Sequence, residues 1–343
     1  MAAPVTDRVI TADEGQWLVM EERSAVGAAR RQAQSLAHSA GFSDERVAGV
    51  GLAVTELGTN LVKHAQRGLL LMRRVRVDDE VTIEVVAVDR GPGMADLDAA
   101  LRDGHSTAGT LGVGLGTVER QADRLRAVSE PGVGTVLAAT FHGDRQAPPG
   151  RSVAGLVRAL GSEPTCGDQF AARQEGDRVT LMLCDGSGHG PLAADAAYAA
   201  VRAFNDGPTD PPEVVVRRVH TALSGSRGGA VSIADLHYDQ GVVRFCGVGN
   251  VAGSVSTEST KRMMVSVPGI VGYHLPKVRT FDYELPPDGV VVLHTDGISA
   301  KWDLSGRRGL LSRDALLIAA TLLRDAAGHR DDAGVLVGRR PAP

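Results

Sequence analysis

Apolar residues recur at helical spacing in two early stretches. The first run starts after Ser24, a candidate cap, and stops at Gly41; the second spans roughly 44–65, behind Ser43, with Val47, Val50, Ala53, Val54, Leu57 and Leu61 on one face. The pattern then becomes strand-like. Residues 69–77 and 81–88 predict two strands joined at Asp78-Asp79, the second (VTIEVVAV) being β-branched and mostly apolar, as a buried strand should be. Past Asp89 the chain is glycine-rich as far as Gly116; a short helix and strands near 125–129 and 134–141 complete the region. Helices beside a largely antiparallel sheet make an α+β sandwich.

A second patterned region follows. Strands are expected at 179–185, 231–238, 242–250, 289–296 and 334–339, with helices near 191–205 and 312–324, which again predicts an α/β sandwich. Between the regions, Gly143-Asp144-Arg145-Gln146-Ala147-Pro148-Pro149-Gly150 has the composition of a linker. The expected division is therefore residues 1–143, a linker at 144–152, and residues 153–343.

Composition narrows the function classes. A length of 343 residues suits two domains, and 23% charged residues is ordinary for globular proteins. A formal net charge of -4 argues against general nucleic-acid binding; Arg73, Arg74 and Arg76 read as a solvated strand face. Cys166, Cys184 and Cys246 form no CxxC pair, so neither a zinc site nor a disulfide framework is expected. No apolar run has the length of a signal peptide or membrane span, and a cytoplasmic location is the expectation.

Three motifs in the first region fit a nucleotide. Glu56 and Asn60 stand four apart on the second helix, with Lys63 and His64 following, so a carboxylate and a carboxamide share one face. Asp89-Arg90-Gly91-Pro92-Gly93-Met94 places a carboxylate at a strand end, able to accept from an exocyclic amine, beside glycines that permit close backbone approach. Gly112-Val113-Gly114-Leu115-Gly116 opens a helix, whose free N–H groups favour phosphate. With the later Gly132-Val133-Gly134-Thr135, this set resembles the gyrase/Hsp90/histidine-kinase/MutL (GHKL) ATP-binding superfamily. Within it, residues 24–141 are most similar to the anti-sigma serine kinases of the stressosome-switch type. The resemblance implies Mg²⁺ on Asn60, Glu56 as general base, Asp89 reading adenine, and ATP contacts from Lys63, Gly91, Gly93, Gly112, Gly114, Leu115, Gly116 and Thr135. It also implies a serine on a small STAS-domain protein as acceptor. No phospho-acceptor helix precedes the module, and His38 and His64 read as surface or packing residues.

In the second region acids recur at strand ends and tight loops: Asp168, Asp185, Asp296 and the pair Asp331-Asp332. Oxygen donors without a Cys/His set point to Mg²⁺ or Mn²⁺, and two such ions can activate water and clamp a phosphate. Glu163-Pro-Thr-Cys-Gly-Asp-Gln-Phe170, DGSGHG, TDG and DD resemble the PPM-type metal phosphatases in their short SpoIIE-type branch, over about 160–340. The resemblance implies two metal ions held by Asp185, the Gly186 carbonyl, Asp296 and Asp331, with Asp168 and Asp332 accessory. Two departures stand out: Ala333 where the family has Thr, and no arginine clearly placed to clamp phosphate. His189 reads as structural, and Cys184 as facing the core.

The expected architecture is thus a GHKL-type α/β sandwich followed by a PPM-type α/β/β/α sandwich. The expected function is bifunctional control of a partner-switching pathway. One half phosphorylates a STAS-domain or stressosome protein; the other hydrolyses phosphoserine or phosphothreonine on the same or a related partner. The alternative is an ATP-binding module that only sequesters a sigma factor or STAS protein, with the phosphatase alone active. Pairing into a homodimer through the ATP module is a further expectation.

Overall fold

A computed structural model describes residues 7–13, 15–77, 80–101, 114–143, 152–161, 163–275, 277–304, 307, 309–328 and 330–340. The chain falls into two compact units, Gly15–Pro149 and, for the rest, Met1–Glu14 with Gly150–Pro343. In chain order the first elements are β1 (Asp7–Ala12), β2 (Gln16–Val19), α1 (Arg23–Ser39), α2 (Asp44–His64), β3 (Leu69–Val77) and β4 (Glu80–Val88). Next come α3 (Leu97–Leu101), α4 (Gly114–Gln121), β5 (Arg124–Glu130) and β6 (Gly134–His142). The remainder holds β7 (Val153–Arg158), β8 (Asp168–Glu175), β9 (Arg178–Gly186), α5 (Pro191–Asn205), α6 (Pro212–Ala222), β10 (Gly229–His237) and β11 (Val242–Val248). It closes with β12 (Ala252–Ser256), β13 (Lys261–Met264), β14 (Ser266–Val267), β15 (Phe281–Glu284), β16 (Val290–His294), α7 (Ala315–Ala326) and β17 (Ala333–Arg339).

The Gly15–Pro149 unit is an antiparallel sheet in the order β2-β3-β4-β6-β5 with helices on one face. Val50, Ala53, Val54, Leu57 and Leu61 of α2 and Ala29, Ala33 and Ala37 of α1 are buried against Leu70, Met72, Ile83 and Val85 of the sheet. The Ser43 side chain accepts from the Arg46 N–H and starts α2. Ser24 does not cap α1; its hydroxyl donates to Glu22, which precedes the helix.

The larger unit is a sandwich. One sheet runs β14-β11-β10-β9-β8-β1, with β15 also on β11, and the other runs β13-β12-β16-β17-β7. Helices α5 and α6 pack on the first sheet and α7 on the second, while β17 lies against β8 and β9. This is the expected α/β/β/α arrangement. Several elements were not foreseen. The segment at 212–222, to which the sequence reading assigns no element, is α6: Pro212 starts it, and Val215, Val216 and Val219 share a buried face.

The expected first region, 1–143, differs from the observed unit at its start. Strand β1 pairs antiparallel with β8, Asp7 opposite Glu175 and Ile10 opposite Ala172. The Gly15–Pro149 unit is therefore an insertion within the larger unit, which takes its edge strand from upstream of it. A strand of six residues pairing across more than 150 positions leaves no local trace in the sequence.

The three Arg of β3 also differ from a uniformly solvated face. Arg76 is exposed and Arg74 half-buried, but Arg73 is 2% exposed and donates from Nε and Nη2 to Glu84 Oε2 at 3.0 and 2.8 Å. The two residues stand directly opposite each other across β3 and β4.

Candidate functional site

Strand pairing assembles the acidic residues of the larger unit. Asp168, first in β8, is directly opposite Asp185, near the end of β9. Thr295 and Asp296 follow β16, and Asp331 and Asp332 precede β17. The Thr295 N–H donates to the Gly334 carbonyl at 3.1 Å, joining these two segments. The Thr295 hydroxyl donates to Asp168 Oδ2 at 2.7 Å and accepts from the Gly334 N–H at 2.8 Å, so one side chain ties three strand ends together. Asn250, after β11, donates through Nδ2 to Asp296 Oδ2 at 2.6 Å.

Close backbone packing around the acids requires glycine. A Cβ on Gly297 would stand 1.8 Å from the Asp332 carbonyl oxygen, and one on Gly186 would stand 2.2 Å from that of Ala193. The surrounding backbone leaves no room for a side chain at either position.

The five acids differ in environment. Asp168 and Asp332 are buried, Asp185 is half-buried, and Asp296 and Asp331 are exposed. Asp332 is already engaged. Its Oδ1 accepts from the Leu160 N–H and its Oδ2 from the Gly167 N–H, both at 2.6 Å, and this fixes the loop that delivers Asp168. That role was not anticipated for Asp332, which was expected only as an accessory ligand. Burial first, and then the charges of Asp296, Asp331 and Asp332, push the Asp185 carboxyl up to about 7. Burial also holds Asp168 well above the usual carboxylate range; Asp185 adds to this, and the Thr295 hydrogen bond opposes it.

These carboxylates repel one another. Among the described residues, no three Asp, Glu, His or Cys side chains close round a single point. The donor chemistry nevertheless fits hard divalent cations: the groups are all oxygen, their charges raise each other's proton affinity, and a cation among them would relieve that cost. Cys184 is buried and its thiol is pushed up by burial, as expected of a core residue. His189 Nδ1 lies 3.4 Å from Glu163 Oε1, pairing the GHG turn with the loop before Asp168.

Thr295 supplies a separate prediction. Thr295→Val removes a buried donor from Asp168 and an acceptor from Gly334, and should lower stability by about 1–3 kcal/mol. Thermal melting of the full chain in EDTA checks it; an unchanged midpoint contradicts it.

In the Gly15–Pro149 unit, α2 carries Glu56 and Asn60 half-buried, with Lys63 exposed at its last turn. Asp89 follows β4. Its N–H donates to the Thr135 carbonyl at 2.9 Å, and its Oδ1 accepts from the Gly91 N–H at 2.6 Å, which orients the carboxylate. The Arg90 N–H donates to the Gln66 carbonyl at 3.0 Å, so the end of α2 and the DRGPG loop meet. Gly91 and Gly93 serve this packing. A Cβ on Gly91 would be 2.8 Å from the His64 carbonyl oxygen, and one on Gly93 would be 2.1 Å from that of Glu130. Thr135 is buried, and its hydroxyl lies 2.9 Å from that of Ser129, which accepts from the Met94 N–H at 2.7 Å. Gly114, Leu115 and Gly116 form the first turn of α4, with Leu115 in the core; Gly112 lies outside the described residues.

Asn250, Thr295 and Ser129 were not singled out from the sequence. Each is a common polar residue whose partner is 6 to more than 100 positions away, so spacing carries no signal.

Two family models match the chain, one within each unit. Residues 19–141 match the family model described as histidine kinase-like ATPase domain, and residues 175–340 match that described as stage II sporulation protein E (SpoIIE). The serine/threonine-protein kinase RsbT of Bacillus subtilis (strain 168) is 33% identical over 112 residues, covering 33% of this chain and 84% of the relative. The phosphoserine phosphatase RsbX of the same organism is 24% identical over 147 residues, covering 42% of this chain and 74% of the relative. A solved chain from work on the bacterial stressosome as a modular system adapted to control secondary-messenger signalling has a TM-score of 0.50 at 24% identity. It covers 55% of this chain and 98% of its own length, a likeness of fold. Among the described residues no helix is long and apolar enough to cross a membrane. The chain therefore belongs to the histidine kinase-like ATPase domain family through residues 19–141, and carries beside that domain a region, 175–340, that matches the SpoIIE family model.

Proposed function

We propose that this chain sets the phosphorylation level of a partner protein by opposing chemistries: serine phosphorylation by the inserted ATP-binding unit and phosphoserine or phosphothreonine hydrolysis by the larger unit. The observation that carries the reading is the set of mutually repelling carboxylates at the ends of β8, β9 and β16 and before β17, on a chain that also has the ELGTN and DRGPG motifs. The resemblance to RsbT and RsbX favours a STAS-domain or stressosome component as the partner.

Two Mn²⁺ or Mg²⁺ ions, held by Asp185, the Gly186 carbonyl, Asp296 and Asp331, would supply an activated water and neutralise phosphate charge. The chain's own residues prepare that site. Asp332 holds the Leu160 and Gly167 N–H groups, Thr295 orients Asp168, and Asn250 orients Asp296. In the ATP-binding unit, Asn60 and Lys63 would hold Mg²⁺·ATP, with Gly112, Gly114 and Gly116 at the phosphates and Asp89 at the adenine. Glu56, one turn before Asn60, would take the serine proton.

The test uses a purified STAS-domain partner, ATP and Mg²⁺, with intact mass as readout. Asn60→Ala should abolish addition of phosphate while leaving hydrolysis of phosphorylated partner intact. Retention of transfer in Asn60→Ala contradicts the kinase half of the proposal. ATP binding without transfer, together with capture of a sigma factor or STAS protein, would replace it with the sequestering module.

A further inference from the structure

The turn between α6 and β10, Ser224-Gly225-Ser226-Arg227-Gly228, packs directly on the loop that follows Asp185. The Ser187 N–H donates to the Gly228 carbonyl at 2.9 Å. Gly229 comes so near that an added Cβ would be 2.3 Å from the Asp185 carbonyl oxygen. The turn is held on both sides. The Ser226 hydroxyl donates to the Leu223 carbonyl at 2.7 Å and accepts from the Gly228 N–H at 3.0 Å, while Gly229 and Val271 exchange backbone hydrogen bonds at 3.0 and 2.8 Å.

This anchoring sets the place of one cation. Gly188, three residues beyond Asp185, has φ +91, and a Cβ built on it would lie 3.2 Å from Arg227 Nη1. The guanidinium therefore lies against the Asp185-Gly186-Ser187-Gly188 loop. It is exposed, and no carboxylate or hydrogen-bond partner engages it among the described residues. Two acids that lie close to this loop in space have other partners: Glu163 faces His189, and Asp332 holds the Leu160 and Gly167 N–H groups. An arginine beside an acidic cluster would ordinarily be drawn into an ion pair. Here the turn holds it at the rim, with all its donors available to a ligand.

We infer that Arg227 binds the phosphoryl group of the substrate of the larger unit. The inference rests on the phosphatase reading above and adds the phosphate-binding arginine that the sequence did not place. A phosphomonoester dianion approaching this cluster meets the exposed carboxylates of Asp296 and Asp331. A planar guanidinium at the edge offsets that repulsion and presents paired N–H donors matched to phosphate oxygens. Its attachment to a different loop from the carboxylates explains why local motif spacing gave no sign of it.

Kinetics of the full chain with Mn²⁺ and p-nitrophenyl phosphate test this, comparing the wild type with Arg227→Gln and Arg227→Lys. The expected result for Arg227→Gln is a KM and an inhibition constant for inorganic phosphate both raised roughly ten- to a hundredfold, the loss of one charge-assisted contact. Half-saturation by Mn²⁺ and the melting temperature should not move, and Arg227→Lys should fall between the two. Turnover in the wild type with unchanged KM and phosphate inhibition in Arg227→Gln overturns the role of Arg227 and leaves the phosphatase reading standing. A loss that tracks a lowered melting temperature or weaker Mn²⁺ dependence makes the residue structural and overturns it too. Absence of turnover in the wild type overturns the phosphatase reading and the role of Arg227 with it.

Discussion

Asp185→Asn should abolish dephosphorylation and, at the same time, stabilise the metal-free chain above neutral pH. The first effect follows from its place opposite Asp168 at the centre of the acidic set. Charge stabilisation at such a site is worth several kcal/mol, or about a thousandfold in rate at 1.36 kcal/mol per decade. The second follows from the same crowding. Burial and the charges of Asp296, Asp331 and Asp332 raise the folded-state value to about 7 from 3.8. The folded state thus holds a proton that the unfolded chain has already released. The stability tied to that proton is fully present below about pH 4 and is lost as pH rises to about 7. Asn carries no charge to repel, so the variant should escape this loss. Melting curves in EDTA at pH 5 and pH 8 check it. The wild type should fall more than Asp185→Asn between the two, and added Mn²⁺ should restore the wild type selectively. Equal pH dependence in the two proteins would contradict the electrostatic account. Residual hydrolysis within tenfold of wild type would contradict the catalytic one.

Glu84→Ala should be the most damaging single change to folding in the inserted unit. Arg73 and Glu84 are both 2% exposed, and a direct two-donor contact links them. Removing one member of a buried pair strips two charge-assisted hydrogen bonds from the other and costs about 3–5 kcal/mol. For a unit of this size that is a fall of roughly 10 °C or more. Replacing both partners by apolar residues of similar volume, Arg73→Met with Glu84→Leu, should recover most of the loss, because the pair's attraction largely offsets its own desolvation. Scanning calorimetry separates the cases. A Glu84→Ala midpoint within a degree or two of wild type would mean that the pair is solvated after all.

How much of this was legible in the sequence depended on the range of the signal. Helices α1 and α2, strands β3 and β4, and the catalytic-type motifs ELGTN, DRGPG, DGSGHG, TDG and DD could be read because each is contiguous. Their periodicity or turn chemistry is local. What could not be read depends on partners far away. Strand β1 finds β8 across the whole inserted unit, Asn250 finds Asp296, and Thr295 finds Asp168. Arg73 looked solvated because its neighbours Arg74 and Arg76 are charged as well. The alternation of a strand nonetheless puts Arg73 opposite Glu84, and a register is not visible before the pairing is known. Helix α6 was obscured by a run of valines whose strand preference is outweighed by a starting proline and a buried helical face. The backbone donors of Asp332 are equally remote: its oxygens accept from the Leu160 and Gly167 N–H groups, 172 and 165 positions away.

The central claim is that opposing activities share one chain and one partner. The most direct measurement is the steady-state fraction of phosphorylated STAS-domain partner, by intact mass, after incubation with excess ATP, Mg²⁺ and Mn²⁺. Wild type should settle at an intermediate fraction, reached equally from unphosphorylated and phosphorylated partner; Asp185→Asn should drive it near completion and Asn60→Ala near zero. The same final fraction with all three proteins would contradict the account.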